Sequence, residues 1–200
     1  NSTYAVVWNP KEFDDVKEHW SRDDVNDMGS RLVVSGVSDT KFNPDADVTR
    51  AEFVAIVVRG LGLHSPLPGN HKTFSDVSSI AWYKDAVDIA VSYGLISGYN
   101  DGTFRPNDKI TRAEAVVVIG KAMKLAGLAS AQGGREADLL LAPFKDGAAV
   151  ASWARQAAAD AVKHGILTGK GEKLNLEDNI TRAETASVVR RLLLKSDLIN

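Results

Sequence analysis

Five residues recur three times in this 200-residue chain: VTRAE at 48–52, ITRAE at 110–114 and ITRAE at 180–184. No other feature restricts the fold as strongly, because a repeated segment implies a repeated structural unit, and overlooking it would misread the whole architecture. When the copies are aligned on the pentapeptide, each opens on an aromatic-acid element, FDDV at 13–16, FSDV at 74–77 and FKDG at 144–147. A tryptophan follows in each, at Trp20, Trp82 and Trp153. Twelve residues later, at Leu32, Gly94 and Gly165, each copy enters a small-residue turn, LVVSG, GLISG or GILTG. From Gly36, Gly98 and Gly169 the threonine of the pentapeptide lies 13, 13 and 12 residues on. The chain therefore reads as three homologous units, 13–63, 74–128 and 144–197, joined by linkers at 64–73 and about 129–143 into one module over 1–200. The first linker, HSPLPGNHKT, holds two prolines and a glycine, and the stretch GLASAQGGRE at 127–136 is small and polar.

Periodicity places two helices in each unit. After each tryptophan, apolar or small residues fall at helical spacing: Val25, Met28 and Leu32; Ala86, Ala90 and Gly94; Ala157, Ala161 and Gly165. In the second and third copies this one-faced helix ends on a glycine that tolerates the left-handed conformation, whereas Leu32 stands there in the first. The helix after each TRAE is apolar round most of its circumference, which requires neighbours on several sides. Three such helices would bury one another at the centre. A turn-rich loop lies between the two helices, clearest in YNDGTFRPND at 99–108, where Asp101-Gly102 and Pro106 impose a tight turn.

Thr followed three residues later by Glu, just ahead of an apolar helix, is a capping box. Thr49 with Glu52, Thr111 with Glu114 and Thr181 with Glu184 thus read as helix starts, with Val48, Ile110 and Ile180 as staples one residue upstream. The arginine is left over. Arg50, Arg112 and Arg182 occupy the first helical position, where the helix dipole already places positive potential. Two readings account for it. One is a salt bridge, to Glu52, Glu114 and Glu184 or to a neighbouring unit's Asp14, Asp76 or Asp146. The other is an anion site, in which a guanidinium fork and free helix-start amides converge on a ligand carboxylate.

Composition narrows the remaining chemistry. A formal net charge of −2 offers no global positive field for nucleic acid. No apolar run approaches the roughly 18 residues that span a bilayer, so membrane insertion is not expected. The absence of cysteine removes thiol catalysis and Cys-based zinc sites, and no cofactor is expected. His19, His64, His71 and His164 are scattered without an H-E-x-x-H pattern. GILTGK at 165–170 has three residues between its glycines where a phosphate loop has four. PDADVTRAE at 44–52 lacks the central glycine of a calcium loop. No pair of acids stands out for glycoside hydrolysis, because the repeated ones are claimed by caps and turns. The chain opens on Asn1-Ser2-Thr3 without Met, as a mature or trimmed product would; this matches a glycosylation sequon, but its terminal position weighs against use.

The ordered series F-x-D-V, W, G-I/L-x-x-G, D-G-T-F-x-P and I/V-T-R-A-E resembles the S-layer homology (SLH) repeat, in the three-repeat form that anchors surface-layer proteins and exoenzymes to bacterial cell walls. The resemblance runs from Phe13 to Leu194. It implies a mainly α fold, three helix-loop-helix SLH repeats in a pseudo-threefold arrangement around a central three-helix bundle, with grooves between adjacent units. It further implies a secreted, non-catalytic module that binds secondary cell-wall polysaccharide bearing pyruvylated N-acetylmannosamine, Arg50, Arg112 and Arg182 meeting the pyruvyl carboxylate.

Other groove candidates follow. Trp20, Trp82 and Trp153 would lie against a sugar face, although a repeated Trp ahead of an amphipathic helix more often anchors a core. Gly36, Gly98 and Gly169 would allow the turn or let a sugar approach the backbone, with Ser35, Ser97 and Thr168 offering hydroxyls. Tyr99 and Asn100 are polar and stacking candidates. Asp14, Asp76 and Asp146 would orient the arginine, accept from sugar hydroxyls, or cap the next turn. The second copy keeps the fullest pattern and the third departs furthest, with LNL where the others have FNP and FRP. On that ground the grooves of Arg50 and Arg112 are expected to bind better than that of Arg182. A monomer is expected. The alternatives are a cell-surface glycan hydrolase, which would release reducing ends, and a helical protein-interaction array, which would bind no glycan.

Overall fold

A computed structural model describes residues 9–69, 72–131 and 133–200. The sequon at Asn1 and the histidine at position 71 lie outside the described residues. Two helices form in each repeat: α1 (Arg22–Ser30) and α2 (Arg50–Gly60), α3 (Lys84–Ser92) and α4 (Arg112–Leu125), then, after an additional α5 (Gly133–Leu141), α6 (Ser152–Lys163) and α7 (Arg182–Lys195). Single 3-10 turns stand at Asp14–Val16 and Gly147–Ala149. Among the described residues, extended pairing is limited to isolated bridges.

α5 falls in the segment read as a linker. Gly133 and Gly134 mask its start, but Ala137 and Leu141, four residues apart, bury one face. Arg155 and Lys163 of α6 pair with Asp138 and Glu136 of α5 and fix it there.

All three capping boxes form. The Thr49, Thr111 and Thr181 hydroxyls accept from the amides of Glu52, Glu114 and Glu184, whose carboxylates reach back to the threonine amides. The helices they start, α2, α4 and α7, pack on one another, and each also receives the first helix of the next repeat: α3 lies on α2, α6 on α4 and α1 on α7. Phe53, Ile119 and Leu192 of these central helices are fully buried.

The staple residues do more than pack. The Val48 amide donates to the Ile180 carbonyl (3.1 Å), Ile180 to Ile110 (3.0 Å) and Ile110 to Val48 (3.1 Å), which closes a ring of hydrogen bonds through all three repeats. The first two amides of each helix also leave their own repeat, in the opposite cyclic sense. Arg50 and Ala51 donate to Asp108 and Pro106, Arg112 and Ala113 to Asp178 and Leu176, and Arg182 and Ala183 to Ala46 and Pro44. Helix starts carry orphan amides that need acceptors, and here the loop of the neighbouring repeat supplies them. This cyclic order is consistent with a pseudo-threefold assembly.

The loops are shaped by the aromatic-acid element. Asp15, Asp76 and Asp146 each accept two backbone amides, from Phe42 and Asn43, Phe104 and Arg105, and Leu174 and Asn175. Asn43, Arg105 and Asn175, the second donor of each pair, hold positive φ. Leu32 adopts φ 62°, the conformation that Gly94 and Gly165 take in the other copies, with its side chain 63% exposed. The missing glycine therefore changes the strain of that turn and leaves its shape alone.

Candidate functional site

Each groove is built from all three repeats. The first is lined by the turn Ser35–Val37, Phe42, Glu52 and Arg59 of repeat one, Arg182 of repeat three and Trp82 of repeat two, around a cavity of about 350 Å³. The second joins the turn Ser97–Tyr99, Glu114 and Lys121 to Arg50 of repeat one and Trp153 of repeat three, in about 500 Å³. The third joins Thr168–Lys170, Glu184 and Arg191 to Arg112 of repeat two and Trp20 of repeat one, in about 340 Å³.

The pentapeptide arginines cross from one repeat to the next. Arg50 donates through Nε to the Phe104 carbonyl (2.9 Å) and through Nη1 to Glu114 (2.9 Å), and lies over the rings of Tyr99 and Phe104. Arg112 donates through Nε to Leu174 (3.0 Å) and through Nη2 to Thr168 (3.2 Å), with Nη1 3.1 Å from Glu184. Arg182 donates through Nε to Phe42 (2.7 Å) and through Nη2 to Ser35 (2.6 Å) and stacks over the Phe42 ring. Burial pushes Arg182 down from the ordinary arginine range, while Glu52 and Asp15 pull it back up. Where a salt bridge forms, its partner is the glutamate of the following repeat, because the helix start is docked on that repeat. The arginine's own glutamate is engaged by its capping threonine, Asp76 and Asp146 by loop amides, and Asp14 by Lys17. The proposed free helix-start amides are also corrected: they are occupied by the neighbouring loop.

Glu114 and Glu184 differ in load. Glu114 holds Arg50 and also accepts from the Tyr99 hydroxyl at 2.7 Å; burial, then that bond, raises the phenol above its usual range. Glu184 holds Arg112 and Lys170, and although burial opposes its charge, Lys170, the Thr181 amide and Arg112 leave its carboxyl below the usual range.

The tryptophans are not core anchors. Trp20, Trp82 and Trp153 are 62%, 67% and 58% exposed, each on the rim of a groove whose turn belongs to another repeat. Gly36 and Gly98 line their grooves, but the requirement for glycine comes from within. A Cβ on Gly36 would stand 2.3 Å from the Ser38 carbonyl oxygen, and one on Gly98 2.2 Å from the Phe74 ring. Ser35 and Tyr99 line the first and second grooves. Asn100 is exposed and outside the groove linings. Asp14 is exposed and bonded to Lys17 at 2.7 Å; the residue equivalent to Asp76 and Asp146 is Asp15, one position on. Asp76 holds loop amides and lines no groove, since both its oxygens face the backbone.

A second cation per groove escaped the sequence reading. Arg59, Lys121 and Arg191 each stand ten residues after the pentapeptide threonine, on the groove side of the central helix. The aligned repeats carry that signal, a basic residue at one offset in an otherwise apolar helix. Burial lowers Lys121 from its usual range.

The geometry is that of a helical three-repeat module with cationic, aromatic-rimmed grooves. The S-layer homology domain pattern matches residues 12–54, 73–116 and 143–186, and the chain belongs to that family. It is 36% identical over 98% of its length to an amylopullulanase of Thermoanaerobacterium thermosulfurigenes, and 35% identical over 92% to the exoglucanase XynX of Acetivibrio thermocellus. It is 31% identical over 89% of its length to the surface-layer 125 kDa protein of Lysinibacillus sphaericus. The chain spans only 10%, 16% and 14% of these relatives. Domains of this family anchor surface proteins to the bacterial cell wall, which assigns the module to the secreted, wall-associated proteins. Among the described residues, no helix is long and apolar enough to cross a membrane.

Proposed function

We propose that this module is a non-catalytic, monomeric anchor that holds a secondary cell-wall polysaccharide by the carboxylate of a terminal pyruvylated N-acetylmannosamine. The observation that supports it is the convergence in each groove of a guanidinium from one repeat, a serine- or threonine-bearing turn with a second cation from the next, and an exposed tryptophan from the third. Cationic forks select a fixed carboxylate, the turn offers hydroxyls and backbone to a sugar, and the indole covers an apolar sugar face. A charge-assisted contact of this type contributes roughly 1.5 to 3 kcal/mol. Shallow grooves on one body then raise retention on a repetitive polymer through effective concentration. The test is calorimetric titration with purified wall polysaccharide before and after mild acid removal of pyruvyl ketals. Binding is expected only before removal, without release of reducing ends; equal binding after removal refutes carboxylate recognition, and reducing ends would favour a hydrolase.

A further inference from the structure

The three grooves differ in how their cations are spent. In the second, Arg50 is paired with Glu114, and Glu177 adds a further negative charge to the lining. In the third, Arg112 is 4% exposed with all three of its nitrogens engaged, Lys170 is paired with Glu184, and Asp45 adds a further negative charge to the lining. In the first, neither Arg182 nor Arg59 makes an ion pair among the described residues. Arg182 keeps Nη1 without a partner, and Arg59 bonds only through Nε, to the Ala55 carbonyl. Glu52, the carboxylate in the equivalent place, uses Oε2 for both the Thr49 amide and hydroxyl and leaves Oε1 without a partner. The Ser35 hydroxyl beside it is likewise unbonded and exposed.

We infer that the first groove is the principal site for the acidic sugar, its carboxylate held between Arg182 and Arg59 while Glu52 Oε1 and the Ser35 hydroxyl take hydroxyl or amide groups of the same residue. The inference rests on the carboxylate reading above. It reverses the ranking expected from motif completeness, for a physical reason. An arginine already neutralised by a glutamate must give up that partner, or share it, before it can bind a ligand anion. Two guanidiniums without an ion-pair partner have none to give up on binding, and they discriminate for negative charge. The third repeat, whose loop departs furthest from the pattern, still supplies the arginine of the best-poised groove, because its loop and its arginine serve different grooves.

Each groove carries its own reporter, Trp82 in the first, Trp153 in the second and Trp20 in the third. The experiment is a titration of the full 15N-labelled chain with the methyl glycoside of pyruvylated N-acetylmannosamine, following indole N–H resonances assigned by single Trp→Phe variants. The Trp82 resonance is expected to saturate at a concentration at least roughly tenfold below the other two. R59Q, at an exposed position that leaves the fold intact, is expected to raise the Trp82 midpoint about tenfold, and R182K to raise it less than R182Q. Saturation of Trp153 or Trp20 before or together with Trp82 overturns the assignment to the first groove while leaving carboxylate recognition standing. Equal response to the depyruvylated glycoside, or no indole response to either, overturns both.

Discussion

Replacing Arg112 with alanine tests whether this pentapeptide arginine serves the fold. The side chain is 4% exposed and spans from α4 to the third repeat, where it meets the Leu174 and Thr168 carbonyls and Glu184. Truncation removes three contacts and leaves Glu184, itself only 8% exposed, short of one cation. Breaking a buried ion pair by deleting one partner costs about 3–5 kcal/mol. Lys170, 2.8 Å from the same Glu184 oxygen, still compensates part of the charge, so the lower end, about 3 kcal/mol, is the expected loss. For a chain of this length that corresponds to a fall in Tm of roughly 6–12 °C. Urea unfolding followed by tryptophan fluorescence measures it, with R112M and the double variant R112M/E184Q separating lost packing from the unpaired carboxylate. The double variant should recover part of the loss. A destabilisation below about 1 kcal/mol for R112A would refute the reasoning, since no buried pair could then be holding the repeats together.

Three further outcomes are expected. Leu32→Gly relieves a left-handed leucine whose side chain is mostly exposed; it should stabilise the chain by about 0.5–1 kcal/mol after the unfolded-state entropy of glycine is deducted, read as a small rise in calorimetric Tm. Gly98→Ala drives a methyl into Phe74 at a positive φ and should cost roughly 2–4 kcal/mol in the same assay. The carboxyls of Asp15 and Asp146 lie below the ordinary range, since burial, which opposes their charge, is outweighed by two loop amides each. Their folded pKa is depressed, so their stabilisation is present above the unfolded carboxylate range and lost as pH falls through it towards the folded value. Asp15→Asn should flatten the decline of urea midpoints on acidification, and an unchanged slope would contradict the clamp.

The repeat made most of this legible. Capping boxes, two helices per unit and the buried central helices all follow from spacing within one copy, where local physics decides. What crossed between copies did not show. Glu114 as the partner of Arg50, or Trp82 on the rim of a groove whose turn lies in repeat one, depends on how units dock, and no spacing within a unit encodes it. Asp15, not Asp14, is the acid that the F-x-D-V pattern aligns with Asp76 and Asp146, and the loop amides at Phe42 and Asn43 meet it there. Arg59 stands among apolar residues, and the offset it shares with Lys121 and Arg191 is its one mark in the sequence.

The closed ring through Val48, Ile110 and Ile180 has a mechanical consequence. The last helix lies on the first, with Arg190 bonded to Asp24 and Asp27 and Arg31 reaching the Asn200 carbonyl. In an open stack of repeats, tension can peel units away from one end. A ring has no end from which to start. Because a sugar in any groove would touch all three units, a pull on the glycan would load the whole circle at once, and release would require either the sugar to leave or the circle to open.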